Sequence, residues 1–279
     1  MEWRGRVKIP VGMLLVMVAL GFGRAAVGQG TAPAPATTAP ATTGPATTAP
    51  GAAGTAPVDP AKQIAAMQAK LNDWPQLARY RAENAALPPV AAGEQRVVFY
   101  GDSITDGWGR RPNTGTFFPG KPYVNRGISG QTTPQMVVRF RQDVIDLHPA
   151  AVLILAGTND IAGNTGPMTA EMTEENFASM IDLAKANGIK PIIASIMPVS
   201  DYPWKRGMEP AGKIRTINAW LQSYCESHGA TYVDYYTSLV DDQGGMKPGT
   251  SFDGVHPNAT GYGIMGPLAQ AAIDQALKK

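Results

Sequence analysis

Three side chains of this sequence could together activate a nucleophile: Ser103, His256 and Asp253. Ser103 stands in Arg96-Val97-Val98-Phe99-Tyr100-Gly101-Asp102-Ser103-Ile104-Thr105-Asp106-Gly107, where an apolar strand runs into a small polar turn. A serine hydroxyl is a weak nucleophile until a neighbour takes its proton, so it needs a base. The chain has three histidines. His148 precedes Pro149 and His228 precedes Gly229, each closing a helical pattern, where an imidazole complements the helix C-terminal dipole. His256 lies instead in the loop Phe252-Asp253-Gly254-Val255-His256-Pro257, with Asp253 three residues earlier. One loop can then aim the imidazole at Ser103 and set a carboxylate behind it, fixing the tautomer and stabilising the imidazolium. The plainer use of Asp253 and His256 is as caps for the last helix.

Acyl transfer also needs donors for the oxyanion of a tetrahedral intermediate, a contribution of roughly 3 kcal/mol per donor. Ser103 can offer its own N–H, Gly130 an unobstructed N–H, and Asn159 a side-chain amide. A glycine after a strand is ordinarily a turn and an Asn-Asp pair ordinarily a helix cap, so neither carries weight alone. Asp102 and Asp160 read as acceptors that stabilise their loops. Trp108, Tyr202 and Trp204 are expected exposed on loops near the site, where aromatic rings suit the apolar faces of sugars. Packing of Trp108 and Trp204 between loop and helix is the alternative. The segment Pro198–Gly207 is the expected substrate-contacting loop. Cys225 follows Trp220, Leu221 and Tyr224 at helical spacing and is expected in the core, with no base nearby to make it a nucleophile.

These residues must be positioned by alternating elements. Short β-branched runs are expected as strands at Val97–Tyr100, Tyr123–Asn125, Ala151–Leu155, Pro191–Ile196 and Thr231–Val233. Helical stretches are expected at Pro134–Leu147, Glu174–Asn187, Ala211–Ser227 and about Ala259–Leu277. Strand and helix in alternation predict an α/β fold with a parallel sheet covered on both faces, whose functional groups gather at the strands' carboxyl ends. Gly101-Asp102-Ser103, Arg126-Gly127-Ile128-Ser129-Gly130 and Ala156-Gly157-Thr158-Asn159-Asp160 follow the first three strands, and the Asp253–His256 loop can return to the same edge.

Upstream, Asp59-Pro60 is a helix start, with Ile64, Met67 and Leu71 at helical spacing, and a second helix is expected after Asp73 and Pro75, carrying Leu77 and Tyr80. These helices either pack on the core or serve as a stalk. Residues 1–28 read as a signal peptide, with Arg4, Arg6 and Lys8 before the apolar run Ile9–Phe22 and small residues at Ala26-Val27-Gly28. An uncleaved membrane anchor is the alternative, although the run is short for the ~20 residues of a full span. Residues 29–58 are Thr, Ala, Pro and Gly, with too little to bury, and read as a disordered linker. The expected division is therefore signal 1–28, linker 29–58, helical segment 59–89 and catalytic domain 90–279. The mature protein is expected outside the cell or in the periplasm, without stable membrane insertion. Cys225 is the one cysteine, so the cleavage site has no thiol for lipid attachment and no internal disulfide can form. Losing residues 1–28 removes four basic side chains and one acidic, turning the formal charge of +2 into −1. A near-neutral chain has no electrostatic footprint for nucleic acid or an anionic membrane.

Four blocks, Gly101-Asp102-Ser103-Ile104, Gly127-Ile128-Ser129-Gly130-Gln131-Thr132-Thr133, Gly157-Thr158-Asn159-Asp160 and Asp253-Gly254-Val255-His256, occur in an order that resembles the SGNH (GDSL-type) hydrolase family. The resemblance covers about residues 96–270, with Ile104 where the name-giving leucine would stand. It implies a flavodoxin-like three-layer α/β/α sandwich, and no metal or organic cofactor. No Gly-x-Ser-x-Gly elbow surrounds Ser103, which sets the chain apart from the α/β-hydrolases. Members of the family act on acetylated sugars, lipids, thioesters and aryl esters, so the acyl donor stays open. Export, a tether and the aromatics favour a serine esterase removing short acyl groups such as O-acetyl from carbohydrate. The alternatives are a lysophospholipase or thioesterase of the same mechanism, marked by rates that climb with acyl length, and a non-catalytic carbohydrate-binding module.

Overall fold

The computed structural model describes residues 59–278, so the expected signal and linker lie outside the described residues. Within them, strands β1 Val97–Gly101, β2 Tyr123–Gly127, β3 Ala151–Leu155, β4 Lys190–Ala194 and β5 Thr231–Val233 form one sheet, ordered β2-β1-β3-β4-β5. Every neighbouring pair is parallel. The helices are α1 Pro60–Asn72, α2 Arg81–Ala86, α3 Ser103–Gly107, α4 Thr133–Asp143, α5 Thr158–Ala162, α6 Ala170–Ala186, α7 Ala211–His228, α8 Tyr236–Leu239 and α9 Ala259–Lys278.

The period-two alternation of a strand divides the apolar residues between two faces. Val98, Tyr100, Val152, Ile154 and Ile193 pack with Met136 and Phe140 of α4, Phe177 and Met180 of α6, and Ile214 and Leu221 of α7. Val97, Phe99, Leu153, Ile192 and Ala194 pack on the other face with Leu239 of α8 and Met265, Ala269 and Ile273 of α9. The result is a flavodoxin-like three-layer α/β/α sandwich. Its strand order reverses at β1, which places the crevice at the carboxyl ends of β1 and its neighbours.

Most expected elements stand where the pattern put them, with ends shifted by a few residues. One helix is shorter than expected: α4 stops at Asp143, and a separate 3-10 turn, Ile145–Leu147, follows. The second upstream helix starts later, at Arg81, because Asp73 spends its carboxylate on the N–H groups of Leu77 (2.7 Å) and Ala78 (2.9 Å) and shapes a turn. Tyr80 is fully buried just before it, donating to Gly127 O and accepting from Arg110 Nη1 at 2.7 Å. Three glutamines reach the same segment: Gln135 to Trp74 O at 2.6 Å, Gln131 to Pro75 O at 2.8 Å and Gln142 to Leu77 O at 2.8 Å. Residues 73–87 are thereby sewn onto α4, whereas α1 buries no residue and leaves Ile64, Met67 and Leu71 at 67%, 63% and 71% exposure.

The carboxyl edge is held together by Arg139, which is wholly buried. Its guanidinium donates to Gly101 O (3.0 Å) at the end of β1, to Arg126 O (2.9 Å) near the end of β2, to Gln131 Oε1 and to Asp143 Oδ2 (3.1 Å). Asn84 satisfies the other Asp143 oxygen at 2.8 Å. Close packing also needs Gly127: a Cβ there would lie 2.1 Å from Asp106 N, inside α3.

Removing one partner of a buried pair leaves an uncompensated charge, at a cost of about 3–5 kcal/mol. Arg139→Met is therefore expected to lower Tm in a calorimetric or fluorescence melt by roughly 10 °C for a domain of this size. An unchanged Tm would contradict the role given to Arg139.

Candidate active site

Ser103 is the first residue of α3, directly after β1, so its N–H has no intrahelical partner. Asp102 starts that helix by accepting Ile104 N–H at 2.9 Å, as expected of a loop-stabilising acceptor. The hydroxyl of Ser103 lies 3.0 Å from His256 Nε2, and His256 Nδ1 lies 2.8 Å from Asp253 Oδ2. With Nδ1 bearing the proton that Asp253 accepts, Nε2 presents its lone pair to the serine.

The Asp253 carboxylate has two jobs. Its Oδ1 accepts the N–H groups of Val255 (3.0 Å) and His256 (2.9 Å), folding the loop, while Oδ2 turns the imidazole. Phe252 N–H to His256 O at 2.9 Å closes the loop. The last helix is capped by Asn258, whose Oδ1 accepts from Thr260 (3.0 Å) and Gly261 (3.2 Å), so Asp253 and His256 are not its caps. His148 and His228 precede β3 and β5, which puts them at the sheet's amino edge, opposite Ser103.

Gly130 has φ +81°, and no acceptor among the described residues takes its N–H. Asn159 is buried on α5. Its Oδ1 accepts Asn164 Nδ2 at 2.7 Å, which turns Nδ2 toward Gln131 O (3.0 Å) and Asp102 Oδ2 (3.4 Å). Ser103, Gly130, Asn159, His256 and Trp204 line one cleft of about 260 Å³. Arg111 and Asn164 line it too. Nothing in the sequence pattern marks these two, since an Arg-Arg pair and a Gly-Asn pair in loops are ordinarily solvated. Arg111 Nη2 donates to Ser129 Oγ at 3.1 Å, and that hydroxyl donates to Asp106 Oδ2 at 2.7 Å, so the proton of Ser129 is committed.

Two of the three expected substrate aromatics are corrected. Trp108 is 4% exposed, its ring edge-on to Phe99 and tilted against Tyr262, because α3 turns it inward onto the α9 face of the sheet. Tyr202 is fully buried and backs Trp204 at 5.1 Å between ring centroids. Trp204 does reach the cleft, 46% exposed, with its ring 6.0 Å from that of His256. Cys225 is buried, and that burial pushes its thiol up to about 12.

Electrostatically the floor and the loop differ. Burial raises Asp102 to about 7, only partly offset by the Ile104 N–H and reinforced by the charge of Asp160. Burial likewise raises Asp160 to about 6 despite its bonds from Thr133. For Asp253, partial burial would raise the carboxyl, but the bonds from His256 and Val255 and the imidazolium charge hold it below the usual range.

Comparison with known proteins places these features in context. Residues 99–264 match the GDSL-like lipase/acylhydrolase family. A GDSL-like lipase from Bacteroides thetaiotaomicron is 45% identical and superposes with a TM-score of 0.69 over 73% of this chain and 99% of its own. An acetylxylan esterase of Geobacillus stearothermophilus is 26% identical over 63% of this chain and 92% of its own. The uncharacterized lipoprotein YqeF of Bacillus subtilis is 33% identical over 36% of this chain, which spans only 46% of that protein.

The raised Asp102 has a sign that can be measured. Its native form binds the proton more tightly than the unfolded chain, so its contribution to stability is full below about pH 4 and is lost as pH rises through about 7. In Asp102→Asn that loss is absent. The Tm difference, variant minus wild type, should grow across this window and level off above it; a difference independent of pH would contradict the shift.

Proposed function

This chain belongs to the GDSL-like lipase/acylhydrolase family and is a carboxylic ester hydrolase, and on that premise we propose that it removes short acyl groups, O-acetyl foremost, from carbohydrate through a Ser-His-Asp acyl-enzyme. The observation that carries the mechanism is the unbroken line from Ser103 Oγ to His256 Nε2 (3.0 Å) and from His256 Nδ1 to Asp253 Oδ2 (2.8 Å) at the mouth of one cleft.

In this reading Ser103 Oγ attacks the acyl carbon as His256 Nε2 takes its proton. The carbonyl oxygen becomes an oxyanion facing the N–H groups of Ser103 and Gly130 and the Asn159 amide, whose weaker contact, 3.4 Å to Asp102, frees one hydrogen for it. Collapse expels the alcohol with the proton from His256, leaving acyl-Ser103. Water then attacks with His256 as base, releasing the acid and restoring the hydroxyl.

The small cleft beside Ser103, walled by Trp204, supports a short acyl group. Similarity to an acetylxylan esterase supports a carbohydrate carrier. Export completes the reading: residues 1–28 are the cleaved signal, 29–58 the tether, and 90–279 the catalytic domain behind the segment 59–89. Similarity to a lipoprotein supports an envelope or extracellular setting.

Ser103→Ala and His256→Ala should each lower kcat on an aryl acetate by on the order of 10³-fold or more. Asp253→Asn should cost less, because that side chain is 37% exposed and water screens its charge. The wild-type rate should rise as His256 loses its proton; a rate that is flat from acid to neutral pH removes His256 as base. Across aryl esters of increasing chain length kcat/KM should fall. A steep rise instead makes the enzyme a lysophospholipase or thioesterase.

A further inference from the structure

The cleft at Ser103 opens into a larger trough of about 800 Å³, lined by Lys70, Trp74, Gln76 and Thr165, and the two cavities share Ser129, Gly130 and Asn164. That volume is within the ~300–1,000 Å³ of ligand clefts. Trp74 and Trp204 are the two well-exposed tryptophans among the described residues, at 39% and 46%. One lines the trough and the other the cleft, with the shared residues between them.

The wall that carries Trp74 is fixed. Gln135 and Gln131 hold the carbonyls of Trp74 and Pro75 (2.6 and 2.8 Å), and the Asp73 carboxylate is spent on the turn that follows. Preorganised walls of this kind lower the entropy lost on binding. Beside the Asp73 carboxylate, the lining joins one indole to an ammonium, three amides and two hydroxyls. A fatty chain laid there would strip water from those polar groups without replacing their hydrogen bonds, at about 1–3 kcal/mol for each one buried. A polyhydroxylated chain satisfies them with its hydroxyls and lays the C–H face of a ring on the indole.

We propose that this trough is the subsite for the carbohydrate chain bearing the ester, with Trp74 as its stacking platform, so that the chain crosses Ser103 between Trp74 and Trp204. The proposal rests on the carbohydrate reading above and extends it from a single acylated sugar to an extended oligosaccharide. Trp74 is thus a specificity residue supplied by the segment upstream of the sheet, remote from the reacting atoms.

The test compares wild type, Trp74→Ala and Trp74→Phe on 4-nitrophenyl acetate, acetylated xylose, and acetylated xylo- and manno-hexaoses. For the hexaose the wild type uses, W74A should raise KM roughly tenfold, the loss of one aromatic contact of about 1.4 kcal/mol. Its kcat, and both small substrates, should stay as in wild type, while W74F keeps most of the affinity. An unchanged hexaose KM in W74A overturns the subsite and leaves the carbohydrate reading standing. Loss of 4-nitrophenyl acetate activity in both variants also overturns it, since Trp74 would then serve the fold. If the wild type cleaves 4-nitrophenyl acetate and neither hexaose, the carbohydrate reading falls and takes the subsite with it.

Discussion

A single buried guanidinium sets the geometry on which the site depends. Arg139 grips Gly101 O, Arg126 O and Gln131 together, which are the exits of β1 and β2 and the residue after Gly130. Here one planar fork of donors collects two strand-end carbonyls, of which Gly101 O also accepts Ile128 N–H at 2.9 Å. Ser103 and Gly130 follow directly from those exits. Their separation is thus fixed by a charge that must be paired to be buried at all. Asp143 pairs it, Asn84 satisfies Asp143, and Gln131 and Gln135 carry the connection outward to the backbone of residues 74 and 75. The upstream segment is in this way part of the scaffold of the rim.

His256, the proposed base, arrives by a different route. The loop from Asp253 to His256 carries its own order, because one carboxylate folds the backbone and aims the ring. Such a loop needs little from the rest of the fold except an anchor, which Asn258 supplies at the start of α9. The contrast with Asp102 and Asp160 is physical. Those carboxylates are buried behind the strand ends, where desolvation dominates, while Asp253 is half open and governed by the hydrogen bonds it accepts. Carboxylates on either side of Ser103 therefore answer to opposite forces.

Which parts of this were legible in the sequence follows from how local each cause is. The strands Ala151–Leu155 and Thr231–Val233 were readable because β-branched runs ending at glycine-rich or polar turns have few other solutions. That His256 is the imidazole beside Ser103 was readable by elimination, since Pro149 and Gly229 mark the other two as helix ends. Arg139 was not, because an arginine in an amphipathic helix ordinarily faces water and is buried here only where tertiary structure brings strand-end carbonyls and the Asp143 carboxylate to it. Trp108 misled for the same reason: its position beside the nucleophile turn does not tell which face of α3 it takes, and the aromatic cluster around Phe99 claimed it. Arg111 and Asn164 come from loops whose composition is silent about direction. Asp73 looked like the start of a helix and is the hinge of a turn, a distinction that rests on which N–H groups its carboxylate meets.

The central claim is that Ser103, and no other hydroxyl of the cleft, is made nucleophilic by this arrangement. Ser129 lines the same cleft, but its hydroxyl is engaged as a hydrogen-bond donor to Asp106 Oδ2 and no imidazole among the described residues stands beside it as base. The most direct measurement is to label the protein with a serine-directed fluorophosphonate, weigh it intact and map the modified peptide. One adduct, on Ser103, is the predicted result. An unlabelled protein, or an adduct on Ser129, contradicts the account.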